Sequence, residues 1–145
     1  MPARRLFQRA LCALAALHLA LPAGADTDGA PGADTLAVGA ELFTQHCASC
    51  HGAAATGGGP LAPLLTVAVP DLTGLSARND GVFPMLAVVH TIDGRAGRAA
   101  HGGPMPVWGV VFNETPQFRT DDHGALLEAS GRIMALTLWL ESIQP

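Results

Sequence analysis

An all-α fold is what this sequence predicts, and three observations carry the prediction. The last segment places Ala129, Ile133, Leu136, Leu140 and Ile143 at spacings of four, three, four and three, the stripe of one buried helix face. An earlier segment, residues 34–46, sets Leu36, Gly39 (or Ala40) and Phe43 at the same spacing behind Asp34, a residue type that caps helix starts. The one stretch with strand character, Val107 to Phe112, contains Gly109, is flanked by prolines, and would have no sheet to join.

Residues 1–25 read as a cleavable signal peptide. Arg4, Arg5 and Arg9 precede the apolar run Ala10 to Leu21, and Ala23-Gly24-Ala25 supplies a small-residue cleavage site, so the mature chain is expected to begin at Asp26 in the periplasm. The run is shorter than the roughly 20 residues a membrane span needs, which makes an uncleaved anchor the weaker reading, and no later segment is expected to insert in a membrane. Arg4-Arg5-Leu6-Phe7 has a faint twin-arginine character, but ordinary secretion of an unfolded chain suits the chemistry below better. Cys12 leaves with this segment.

Cleavage removes three of the eight arginines and none of the twelve acidic residues, leaving a formal charge of −7 on a chain with no lysine. Nucleic acid and anionic membrane surfaces are thereby disfavoured as partners. Residues 26–33 are small and polar and read as a flexible lead-in; one domain, 34–145, follows.

Within that domain the first helix is expected to run to about His46. Gly39 in its middle costs about 1 kcal/mol relative to alanine, which is best explained by another helix packing closely there. Residues 52–65 are small and turn-rich, as suits a loop lying against a flat ligand. Asp71-Leu72-Thr73 reads as a turn or a helix start, and a second helix is expected from about Val82 to Ile92, with Pro84 in its first turn and a stop at Asp93-Gly94. Asp121 and Asp122 favour the start of the last helix, and Trp139 beside its apolar stripe is expected to pack inward.

Cys47-Ala48-Ser49-Cys50-His51 carries the chemistry. Two thiols three positions apart followed by an imidazole are what covalent attachment of a c-type haem requires, with His51 as the proximal iron ligand. A zinc site would need His46-Cys47 and Cys50-His51, two adjacent pairs, to surround one ion, and the mature chain has no second cysteine pair. A redox dithiol would need a preceding strand where this chain reads as helix.

The sixth iron position then decides between an electron carrier and a ligand-binding haem protein. Met105 is the strongest candidate. It lies between Pro104 and Pro106, in a backbone stiffened by proline, 54 residues after His51. Met85 and Met134 fall within expected helices and read as packing residues; His90, His101 and His123 are rivals, His101 the nearest in sequence.

These motifs resemble the class I monohaem cytochromes c from about Val38 to the C-terminus. Gly39-x-x-x-Phe43-x-x-x-Cys47-x-x-Cys50-His51 looks like the N-terminal helix and haem motif of that family, Gly59-Pro60-Leu61 like its proximal loop, Gly103-Pro104-Met105-Pro106 like its methionine loop, and Ile133 to Ile143 like its C-terminal helix. The resemblance implies a small helical domain wrapped around one covalently attached haem c, with iron held by His51 and Met105. It implies a one-electron carrier, not an enzyme, that meets redox partner proteins. It also implies that Gly39 and Phe43 cross the last helix near Trp139, and that Pro60 offers its carbonyl to the free ring nitrogen of His51.

Two departures stand out. The lysine ring by which mitochondrial-type members dock is absent, and Trp108 follows the methionine, where its indole N–H can reach a propionate or its ring can pack over the haem edge. Arg78, Arg95 and Arg98 are weaker candidates for propionate pairing. Two alternatives follow from the same residues: an electron-entry subunit of a larger oxidoreductase, or a peroxidatic or gas-binding haem protein if Met105 is not a stable ligand.

Overall fold

The computed structural model describes residues 31–95, 104–114 and 121–145. The expected signal peptide, most of the lead-in, and Arg98, His101 and Gly103 lie outside the described residues. All regular structure among those described is helical: α1 (Ala33–His46), α2 (Ala48–His51), α3 (Met85–Asp93), α4 (Trp108–Glu114) and α5 (Asp122–Ser142), with short 3-10 turns at Ala62–Leu64 and Ala77–Asn79. No described helix is long and apolar enough to cross a membrane.

The crossing of α1 and α5 is the frame of the domain. A Cβ on Gly39 would come within 2.6 Å of the Trp139 Cβ and would press still closer on the Ala135 carbonyl, so glycine is what lets the two backbones approach. One turn on, the Phe43 and Trp139 rings meet with centroids 4.6 Å apart. Phe43 of α1 and, on the predicted α5 stripe, Ile133, Leu136 and Leu140 are buried, each stabilising the fold by roughly 1.5–3 kcal/mol relative to exposure. Trp139 packs inward as the sequence predicts.

Helix ends differ from expectation in informative ways. Gly32, not Asp34, occupies the N-cap of α1, and Asp34 sits in the first turn, where its charge favours the positive end of the helix dipole. α3 starts at Met85, later than expected, because Pro84 holds Phe83 out of helical geometry; Pro84 becomes the N-cap residue. The helix stops where predicted, on Gly94 in the left-handed region at φ 67°. Residues 108–114, despite their strand-like composition, form α4, whose Phe112 is buried in the core. Asp121 caps α5 by accepting a hydrogen bond from the Gly124 amide at 2.7 Å.

Candidate functional site

Cys47 terminates α1, donating its amide to the Phe43 carbonyl at 2.8 Å, and the chain turns directly into the single helical turn of α2. There the amides of Cys50 and His51 both reach back to the Cys47 carbonyl, at 3.1 and 2.9 Å. Positions three and four apart share a helix face, so this turn brings Cys47, Cys50 and His51 to one side. Cys47 is buried and Cys50 half-buried, and the two sulfurs are not joined to each other. Burial pushes the Cys47 thiol up to about 12, and the adjacent Cys50 adds to the rise. A catalytic dithiol needs the opposite shift, so the site does not suit one.

The carbonyl partner of His51 is a correction to the sequence reading. His51 Nδ1 lies 3.3 Å from the carbonyl oxygen of Pro70, not Pro60. A carbonyl only accepts, so Nδ1 carries the hydrogen and Nε2 keeps the lone pair. Burial, partly opposed by the Pro70 contact, holds the imidazole below its ordinary pKa and so favours the neutral ring that metal ligation requires.

Pro60 is exposed, because the chain around it folds back on α2: the Gly59 amide donates to the Cys50 carbonyl at 3.0 Å and the Leu61 amide to the Ser49 carbonyl at 2.9 Å. Pro70 then arrives with Leu72 tied to the Ala55 carbonyl at 2.8 Å, and with Asp71 Oδ1 accepting from the Thr73 amide and hydroxyl. Of the turn or helix start that the sequence allowed at Asp71, the turn is what forms; its role beside the imidazole was not legible. Gln144 was missed altogether. Its side chain donates to the Leu72 carbonyl at 2.9 Å and accepts from the Ser76 amide at 3.1 Å, tying the Pro70 segment to the end of α5.

Two apolar cavities of about 220 and 260 Å³ have Cys47, His51, Pro70 and Met105 in common. The first is walled by Leu65, Val67 and Trp108, the second by Phe43, Val88 and Leu136. Together they form one apolar recess on the scale of a cofactor site, with both attachment sulfurs and a neutral imidazole on its wall. A flat, largely hydrophobic porphyrin fits this donor set.

Met105 is half-buried and lines both cavities. Met85 and Met134 line neither, and Met134 is exposed on α5. His90 and His123 are exposed. Trp108 lines the first cavity, with its ring 5.6 Å from Phe112 and 5.3 Å from His46. His46 therefore belongs to an aromatic cluster, and burial together with the Arg132 charge holds its pKa below the ordinary value. Among the described residues no three His, Cys, Asp or Glu side chains converge as a metal cluster. Arg78 donates to the Asp71 carbonyl and Arg95 pairs with Asp93; neither lines the recess.

Fold and site together define a small helical haem-binding protein. The chain matches the family model described as Cytochrome c over residues 36–128, most of its length, and belongs to that family, as a class I c-type cytochrome. It carries one haem c, attached through Cys47 and Cys50, and its role is haem-based electron transfer with redox partner proteins. Neither the curated proteins nor the solved structures contain a match to it.

Proposed function

We propose that this cytochrome is a periplasmic one-electron carrier in which His51 and Met105 are the axial ligands of the haem iron. The observation that carries the reading is that His51 and Met105 both face the two cavities flanking the attachment cysteines, while Met85, Met134, His90 and His123 do not. When bound, haem supplies ferric–ferrous exchange at an iron with no open position for substrate. Pro70 orients His51 and fixes its tautomer. Pro104 and Pro106 stiffen the segment that presents the Met105 thioether. Trp108 packs the recess beside that thioether.

Export rests on the basic, apolar and small-residue blocks of residues 1–25, and the intact mass of exported protein should correspond to a chain starting at Asp26. Thioether ligation in an apolar recess favours the ferrous state, so the reduction potential should be positive. Met105→Ala should lower that potential and open the ferrous protein to carbon monoxide. A visible spectrum and potential unchanged by the substitution would remove Met105 from the iron.

A further inference from the structure

The segment that presents Met105 is anchored at a point where α4 meets the end of α3. Gly109, buried in the first turn of α4, lies so close to this end that a Cβ there would penetrate the Asp93 carboxylate. It would also stand 2.6 Å from Arg95 Nε and 2.8 Å from the Asp93 carbonyl. Asp93 and Arg95 form a two-point ion pair: Nε donates to Oδ1 at 2.5 Å and Nη2 to Oδ2 at 3.0 Å. The Arg95 guanidinium holds the Asp93 carboxyl below its ordinary pKa, so the pair is charged at neutral pH.

We propose that Asp93, Arg95 and Gly109 form a clasp that sets the position of Met105. This rests on the His51/Met105 reading above. None of the three lines the recess, so they are positioning residues. Met105 stands four residues before Gly109, and the intervening chain has little freedom: Pro106 has a locked φ, and the Val107 carbonyl accepts from Val110 and Val111 at 3.0 and 3.2 Å. A displacement at Gly109 therefore passes to Met105 with little loss. The carboxylate and guanidinium form the seat, and the missing side chain of Gly109 is what allows α4 to sit in it.

The test uses full-length, haem-loaded protein and the sulfur-to-iron charge-transfer band of the ferric state. Gly109→Ala should weaken that band and raise apparent carbon monoxide affinity of the ferrous state about tenfold, as the population with iron released from sulfur grows tenfold. Asp93→Asn, which keeps the shape and removes the charge, should shift both readouts the same way by less, and it carries the test if Gly109→Ala does not fold. Adding Asp93→Ala to Gly109→Ala frees the space taken by the carboxylate and should restore part of the band. A contact that merely stabilised the fold would lower the melting temperature and leave the band alone. A full band with wild-type carbon monoxide affinity in both single variants overturns the clasp while leaving the ligand assignment intact. A wild type that lacks the band overturns the ligand assignment, and the clasp with it.

Discussion

The two walls of the haem recess are built differently. On the side of His51 the chain is held at short intervals: Cys47 is bonded into α1, the Gly57, Gly59 and Leu61 amides return to the backbone of α2, Leu72 is tied to Ala55, and Gln144 reaches the Leu72 carbonyl from α5. On the side of Met105, two of three consecutive residues are prolines without an N–H, and the segment depends on rigidity and on how α4 seats against α3. The first wall is fixed by many modest hydrogen bonds, each worth about 1 kcal/mol net. The second rests on a few steric contacts. The contrast separates two tasks: the attachment side keeps one geometry, whereas the methionine side is where single substitutions should alter the proposed ligation without unfolding the protein.

The comparison can be broken at three points of decreasing effect. Gly39→Val drives a side chain into the α5 backbone and should destabilise the whole domain by about 3 kcal/mol, near the upper end of typical overpacking, as read by denaturant unfolding. The folded fraction should keep a normal charge-transfer band; a variant with wild-type stability would mean that α1 and α5 do not cross here.

Gln144→Ala removes the tether of the Pro70 segment and leaves the half-buried Ser76 amide and the Leu72 carbonyl without this partner, at a cost of about 2 kcal/mol. Its effect should fall on the His51 side, seen as faster hydrogen exchange of the His51 ring N–H, with Met105 ligation retained. Loss of the band at unchanged exchange would reverse the assignment of the two walls.

The smallest effect concerns pH. His46 has a folded-state pKa below its ordinary 6.5, so the unfolded chain binds more protons as pH falls through 6.5 toward the folded value, and stability declines over that window. Above 6.5 the imidazole is neutral in both states and the effect is absent. His46→Gln should flatten the acid side of the stability curve below 6.5, with little change above it.

How much of this was legible in the sequence depended on the range of the interaction. The α5 stripe, the Asp121 cap and the Gly94 stop are local patterns, and each is found where the residues predict it. Gly39 was legible because a glycine inside a helix pattern demands a reason, and the Ala135 backbone supplies it. The haem attachment was legible because the spacing of Cys47, Cys50 and His51 is itself the chemistry.

The histidine partner was not. Pro60 and Pro70 each precede leucine within two residues, and only the three-dimensional path of residues 52–69 carries one away from the imidazole and the other onto it. The Gln144 tether and the seat of Gly109 on Asp93 and Arg95 were invisible for the same reason, since each joins residues 14 or more positions apart. Residues 107–112 carry strand-like valines, and the sequence reading set a strand aside because it would have no sheet to join; that they form a helix is decided by burying Phe112 in the helical core.

The ferric absorption spectrum of the purified mature protein tests the central claim most directly. If haem is bound through Cys47 and Cys50 and gripped by His51 and Met105, the protein shows a low-spin c-type spectrum with the weak sulfur-to-iron charge-transfer band, and its ferrous form resists carbon monoxide. A high-spin spectrum without that band, in protein whose ferrous form binds carbon monoxide readily, would contradict it.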